Sequence, residues 1–278
     1  MLSIILPSLN RYEYVVALLK DLEQQTYKDF ELIIVDQSSQ KYRLPSSSFP
    51  INHLPSEAKG PCNAKNVGAR ASSGELLLFL DDDIRIASNF IELLITPIEN
   101  SWAEVTVACI CNKDGEYLFD DYQSHLKRSP FILQNIMGNP HCPGMFQADS
   151  ISAGCTAMKR NCFFDLDGFD EFYDPNGASE DRDFALRLQH KGYRMLYVGD
   201  AKLIHLDAGS GGRRDIDPNR TFDVFKYNMG YTIHKHFGSD AFLYYKVQLA
   251  FFYYQKIGLL SREFWRLILY LKKWRFDS

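Results

Sequence analysis

Three consecutive aspartates, Asp81, Asp82 and Asp83, end an apolar run of five residues, Leu76-Leu77-Leu78-Phe79-Leu80. Adjacent carboxylates repel one another unless a cation or a hydrogen-bond network holds them. A hard divalent ion that also bridges phosphates would do so, and carboxylate oxygens accept manganese or magnesium. The alternative is a solvated acidic turn. The apolar run suits a parallel strand covered on both faces. Open α/β sheets bind ligands at the C-terminal ends of such strands, so the triplet stands where chemistry is expected. Asp36 ends a second run of this kind. An acid there can accept a hydrogen bond from a nucleoside base or a ribose hydroxyl.

Strands and helices alternate around these acids. Strand patterns cover residues 2–6, 30–35, 51–54 and 76–80, and helical patterns cover 12–25, 62–71 and 89–98. Val15, Leu18, Leu19 and Leu22 recur at helical spacing. This alternation predicts right-handed βαβ units and a mostly parallel sheet. A further strand is expected at 104–111. An irregular insertion over the sheet follows from 113 to about 150, with several Pro, Gly and Asn. Regular structure is expected again at 151–158, a helix at 179–191, and strands near 194–198 and 202–205. A Gly-rich stretch, Gly209-Ser210-Gly211-Gly212-Arg213-Arg214, then breaks the pattern.

Several stretches in order carry more than any one of them. The first strand ends Leu6-Pro7-Ser8-Leu9-Asn10-Arg11 and the second Val35-Asp36-Gln37-Ser38-Ser39. Gly60-Pro61-Cys62-Asn63-Ala64-Lys65-Asn66-Val67-Gly68 then leads through Gly74-Glu75 to the aspartates. Later come Gly154-Cys155-Thr156-Ala157-Met158, Gly168-Phe169-Asp170-Glu171 and Ser179-Glu180-Asp181-Arg182-Asp183. Over residues 2–210 this order resembles the inverting family 2 glycosyltransferases. The resemblance implies the GT-A fold, an α/β architecture with a Rossmann-like, mostly parallel sheet flanked by helices. It divides the chain into a nucleotide-sugar-binding half at 1–111 and an acceptor-side half at 112–215. A helical C-terminal extension at 216–278 follows.

The resemblance also implies an activity. A sugar would pass from a nucleotide-sugar donor, a UDP-sugar first among the candidates, to a hydroxyl acceptor in cell-surface polysaccharide or glycan synthesis. Asp36 would contact the nucleoside, Pro7 and Asn10 would shape the base pocket, and Lys65 or Asn66 would lie near the ribose or diphosphate. Asp81 would approach the ribose or metal-bound water, and Asp83 would ligate a divalent metal, Mn or Mg. Asp82 fills the variable position on the donor side. His205 matches a histidine that completes the metal site in many relatives; its other reading is a strand-end histidine satisfied by backbone. Breaking a sugar–phosphate bond builds negative charge on the leaving diphosphate, which a divalent ion and nearby cations stabilise. Arg213 and Arg214 could close over it.

The acceptor hydroxyl needs a general base. Asp181 is the candidate and Glu180 the alternative, since helix neighbours point about 100° apart. The helix dipole alone also favours acids in a first turn. In one respect the chain departs from the pattern. Many relatives have two acids and Gly-Ser after the second strand, whereas this chain has the single acid of Asp36-Gln37-Ser38-Ser39, which leaves the nucleobase open. The alternative function is a non-catalytic nucleotide-sugar-binding or scaffold protein on the same fold, against which Glu180-Asp181 argues. A dinucleotide dehydrogenase is disfavoured, because no Gly-x-Gly-x-x-Gly follows the first strand.

Composition narrows the remaining classes. A formal charge of −4 over 278 residues gives no sign of nucleic-acid binding. No window of about 18 uncharged apolar residues suggests a spanning helix, and no basic, then apolar, N-terminal stretch suggests a signal peptide. A cytoplasmic protein with its six cysteines reduced is therefore expected. From Ala241 onward the chain is rich in aromatics and carries seven Lys or Arg against two acids, net +5. Such a helix could lie on the anionic cytoplasmic face of a membrane, near a lipid-linked glycan acceptor. It could instead cap the domain or pack on the second subunit of a homodimer.

Overall fold

The structure, a computed structural model, describes residues 1–40, 42–57, 60–120, 141–175, 177–212 and 221–257, together with 268 and 271. The chain separates into two compact units, residues 1–218 and 219–278.

The first unit begins with β1 (Leu2–Ser8), α1 (Tyr12–Glu23), β2 (Phe30–Asp36), β3 (Ile51–Pro55), α2 (Pro61–Ala71) and β4 (Leu76–Leu80). It continues through β5 (Ile84–Ile86), α3 (Phe90–Glu99), β6 (Val105–Cys111), β7 (Met145–Gln147), β8 (Cys155–Lys159) and α4 (Arg160–Asp165). A 3-10 turn at Glu171–Tyr173 leads to α5 (Glu180–His190) and β9 (Met195–His205). Among the described residues nine strands form one mixed sheet, ordered β3-β2-β1-β4-β8-β6-β9-β5, with β7 also on β9. The first four in that order are parallel, as the βα alternation requires. β8 then enters antiparallel between β4 and β6.

The sheet departs from the sequence expectations where its elements are short or bent. The two strands expected near 194–198 and 202–205 are one strand, β9. Its register against β6 slips at a bulge, so that Ala108 faces Val198 and Cys109 faces Lys202. Beyond the bulge β9 pairs with β5, which sets His205 opposite Ile84. β5 and β7 have three residues each and α4 has six. None is long enough to display a hydrophobic period. The regular structure expected from 151 starts only with the strand at Cys155, after a turn closed by the Cys155 amide on the Ser152 carbonyl at 3.0 Å.

The apolar run of β4 is covered on both faces: Leu77, Leu78, Phe79 and Leu80 are fully buried. On one side Phe79 meets Phe163 of α4 at 5.1 Å and Phe169 at 5.4 Å between ring centroids. Phe169 in turn meets Phe184 of α5 at 4.7 Å. This aromatic cluster ties α5 to the strand that ends in the aspartates. All six cysteines are free and buried.

In the second unit α6 (Thr221–Ile257) consists of two helical segments meeting at Gly238, whose φ of 81° only glycine adopts readily. Leu243, Tyr244 and Val247 are each more than half exposed on it. No helix among the described residues is long and apolar enough to cross a membrane. Most of the basic aromatic tail after 257 lies outside the described residues.

Helix α2 lies on β1 and β2, and Gly68 is what lets it approach. A Cβ at Gly68 would fall 2.6 Å from Ile5 Cγ2, a fully buried side chain. Gly68→Val should therefore lower the unfolding free energy by about 1–3 kcal/mol through overpacking. Urea unfolding measures this, and an unchanged midpoint would show that α2 has room to spare.

Candidate active site

The ends of β1, β2 and β4 open onto a cleft of about 340 Å³, within the range of small-ligand sites. Pro7, Lys65, Asp81, Asp82, Asp83, Glu180, Asp181 and His205 all line it. Residues more than a hundred positions apart thus converge on one space.

The acidic triplet is compensated by a cation that the sequence reading left without a role. Arg11 donates from Nη1 to Asp82 Oδ1 at 2.8 Å, and the same atom lies 3.2 Å from Asp83 Oδ2. Ser8 donates its hydroxyl to Asp82 Oδ2 at 2.8 Å. Asp82 is almost wholly buried, and burial pushes its carboxyl up to about 6 although Arg11 and Ser8 pull the other way. Arg11 also reaches the Gly-rich stretch, donating to the carbonyls of Ser210 at 3.1 Å and Gly211 at 3.3 Å. The Gly212 amide returns a bond to the Leu9 carbonyl at 2.9 Å. Side chains at Gly211 or Gly212 would meet Arg11 at 2.6 and 2.9 Å, so the glycines let the backbone lie flat on the guanidinium. Arg213 and Arg214 themselves lie outside the described residues.

Asp83 and His205 form a two-donor set. The β5–β9 pairing brings His205 beside the triplet, and the Leu206 amide bonds the Asp83 carbonyl at 2.8 Å. Asp83 Oδ2 accepts from the Ala208 amide at 3.0 Å and faces Arg11. Oδ1 faces His205 Nε2 at 3.5 Å. Two ligands at about 2.1 Å from one ion can stand this far apart, so the pair fits a divalent cation. The other ring nitrogen, Nδ1, accepts the Asp207 amide at 3.2 Å, with Asp207 Oδ1 3.4 Å away. No cluster of three or more His, Cys, Asp or Glu ligands occurs among the described residues.

The start of α5 borders the same cleft. Glu180 and Asp181 face the cleft, while Asp183 points inward, is fully buried, and accepts from Arg187 Nε at 2.9 Å. Arg187 also donates to the carbonyls of Leu166 at 2.6 Å and Gly168 at 2.8 Å. The helix is thereby locked to the loop beneath it. Asp181 Oδ1 accepts its neighbour's amide, Arg182, at 2.8 Å.

Helix α2 also borders the cleft. Its first amides, Cys62 and Asn63, donate to Asp174 at 3.0 and 2.8 Å. A side chain at Gly60 would collide with that carboxylate. Asp174 thus fills the anion seat of the helix N-terminus, and burial raises its carboxyl above the ordinary value. Asn63 and Asn66 donate to Glu171 at 3.0 and 2.9 Å. Asn66 also exchanges bonds with the Phe169 backbone at 2.8 and 2.9 Å.

The expectations for the donor side divide accordingly. Of the pair Lys65 or Asn66, Lys65 lines the cleft, while the side chain of Asn66 is bound to the 169–171 segment. Asp36 is buried behind the wall. It accepts from the Ser38 amide at 2.9 Å and pairs with His53 Nε2 at 3.1 Å, and His53 stacks on Tyr42 at 5.3 Å. The adjoining Gln37 lines the cleft. Asn10 takes a left-handed φ of 56° and donates its amide to Ser38 Oγ at 2.7 Å. It shapes the turn through its backbone. Sequence reasoning missed Arg11, Gln37 and Asp174. A basic residue in the turn facing an acidic strand end was the available signal for the first.

Comparison with known proteins agrees with this arrangement. The family described as Glycosyl transferase family 2 matches residues 3–154, more than half of the chain. A Campylobacter jejuni protein, GalNAc(5)-diNAcBac-PP-undecaprenol beta-1,3-glucosyltransferase, is 30% identical over 151 residues, 49% of this chain and 49% of its own. The chain spans about half or less of the length of the curated relatives it matches. Among solved structures, S. aureus TarS 1–349 in complex with UDP-GlcNAc superposes with a TM-score of 0.60 at 16% identity, over 97% of this chain and 79% of that one. GalNAc-T7 with UDP, GalNAc and Mn2+ gives 0.55 at 19% identity, over 74% and 43%. At these identities the structures share the fold, and the family match carries the assignment: this chain is a member of glycosyl transferase family 2.

Proposed function

We propose that this protein is a metal-dependent, inverting glycosyltransferase that moves a sugar from a nucleotide-sugar donor, first of all a UDP-sugar, to a hydroxyl of a glycan. The observation that carries the reading is one cleft lined by both the Asp83–His205 pair and the Glu180–Asp181 pair. A divalent ion, Mn or Mg, held by Asp83 and His205 would supply charge neutralisation for the departing diphosphate. Pro7 and Gln37 would bound the nucleoside, and Asp81 and Lys65 would face the ribose or diphosphate. Asp82 would serve the donor side indirectly, by anchoring Arg11. Asp181 would take the proton of the attacking acceptor hydroxyl as it displaces the diphosphate in line, with inversion. Binding of UDP by TarS and by GalNAc-T7 supports a uridine donor here.

The acceptor belongs to glycan synthesis, and the lipid-linked name of the Campylobacter relative supports a membrane-surface substrate. Exposed Leu243, Tyr244 and Val247, with the basic residues after Ala241, would then rest on anionic lipid at the cytoplasmic face.

Calorimetric titration of UDP with Mn2+, then with EDTA, tests the donor site. Binding should require the ion, and Asp83→Ala should remove the ion-dependent part. An Asp83→Ala isotherm identical to wild type would refute the metal role. Asp181→Asn should keep UDP affinity and lose about 10²–10⁴ in turnover. Near-normal rates would displace Asp181 as the base. For the membrane, full-length protein should float with anionic vesicles and a Leu243→Ser/Tyr244→Ser/Val247→Ser variant should float less. If neither floats, the surface idea is wrong.

A further inference from the structure

A second concave site, of about 570 Å³, lies at the N-terminal ends of β6 and β9. β6 runs parallel to β9, and through the antiparallel β8 it also runs in the direction of β4. The groove is therefore at the opposite end of the sheet from the cleft, which opens at the C-terminal end of β4. Three segments distant in sequence meet there. Trp102 comes from the turn after α3, Gln147 and Asp149 from the end of β7, and Gln189, Tyr193 and Arg194 from the passage between α5 and β9.

The backbone around the groove is pinned. Arg194 donates to the Ser101 carbonyl at 3.0 Å and to Glu104 Oε1 at 2.8 Å, which holds the turn that carries Trp102. Gln189 donates to the Asp149 carbonyl at 2.7 Å, and the Ala148 amide to the Met195 carbonyl at 2.9 Å. A groove held in this way costs a ligand little further ordering. The side chains that border it are, by contrast, unspent. Trp102 is 54% exposed. Among the described residues its ring meets no other ring or cation, and the side chains of Gln147 and Asp149 make no hydrogen bond or ion pair. Exposed apolar residues scattered singly are ordinary. A bare indole sharing a groove with a bare carboxamide and a bare carboxylate has the make-up of a binding site, with an apolar surface and a few polar groups that fix orientation.

The chemistry of that set selects its ligand. An indole offers a broad flat apolar face, a carboxamide both donates and accepts, and a carboxylate accepts at two oxygens. A pyranose ring matches all three, with a face of C–H groups and a rim of hydroxyls that donate and accept. Charge narrows the choice. Arg194 is neutralised by Glu104, whereas Asp149 has no cation partner, so phosphates and other anions meet a charge of their own sign.

We propose that this groove is a binding site for a neutral glycan, separate from the catalytic cleft, with Trp102 as its stacking platform. The proposal rests on the reading of the acceptor as a glycan and extends it. A chain held here and long enough to reach the cleft presents its end at a raised local concentration.

The test reads Trp102 directly and needs neither donor nor turnover. The chain has three tryptophans, so 15N-labelled full-length protein is followed through its indole N–H signals, that of Trp102 being the one lost in Trp102→Phe. Neutral tetrasaccharides of glucose, N-acetylglucosamine and galactose are titrated at millimolar concentration. At least one should move the Trp102 signal, and UDP with Mn2+ should not. Saturation transfer to the sugar still reads binding when the indole is gone. By that measure Trp102→Ala should weaken binding at least about tenfold, because the ring supplies the main apolar contact. A Gln147→Ala/Asp149→Ala variant should weaken it too. A Trp102 signal unmoved by every sugar would overturn the proposal, as would undiminished binding by Trp102→Ala. Movement of that signal with protein concentration alone would overturn it in favour of an interface between copies of the chain. Failure here is separable from failure at the cleft. Asp83→Ala and Asp181→Asn should leave binding in the groove intact, and a groove that binds no sugar leaves the tests of the donor site and the base as they stand.

Discussion

Carboxylates buried at a strand end must be neutralised, and the cleft is arranged around how that is done. Asp82 and Asp83 are each under 5% exposed, and unpaired charges so placed would cost several kcal/mol apiece. Arg11 meets the need from the neighbouring β1–α1 turn and reaches onward to the carbonyls of residues 210 and 211. One guanidinium thus joins three segments that are distant in sequence. Its planar fork suits this role, where a lysine could offer only a point charge. Because Arg11 and the Ala208 amide occupy one oxygen of Asp83, the other is left facing His205. The same contacts that stabilise the site therefore orient it.

The start of α5 depends on a different kind of constraint. As the proposed base, Asp181 would need a rigid α5, and α5 is held by packing and by Arg187. The phenylalanine cluster joins it to β4, while Arg187 binds Asp183 and the carbonyls of the 166–168 loop. Neighbouring acids on one helix consequently have opposite fates. Asp181 looks into the cleft and Asp183 is spent on structure, as their separation of about 200° around the helix axis dictates.

Much of this was legible in the sequence because the main signals were long and periodic. The β4 run and its aspartates, the α1 and α2 patterns and the acidic start of α5 all stand within a residue or two of expectation. What escaped notice depended on pairing between distant segments. β5, β7 and α4 exist through their partners, not through any period of their own. The continuity of β9 depends on a bulge that only its register with β6 reveals. Asp36 carried the expected residue type, but the stack of His53 and Tyr42 that covers it comes from a strand and a loop with no telling pattern. The family resemblance named which residue types belong to the site; it could not say that Asn66 would turn away and Lys65 inward.

Helix α2 shows why that division has chemical weight. The N-terminus of a helix after a Gly-rich turn commonly seats a phosphate, and here Gly60 and Pro61 border the cleft. Yet the first amides are bound to Asp174, a carboxylate supplied by the segment that precedes α5. In the proposed reaction, an anionic donor arriving in the cleft would find that seat filled by a charge of its own sign. The places left for its diphosphate would be the Asp83–His205 edge and the cations near it. A fold that closes the helix seat in this way would make the proposed donor site rely on that pair, on Arg11 and on the buried Lys65, whose positions the fold itself sets.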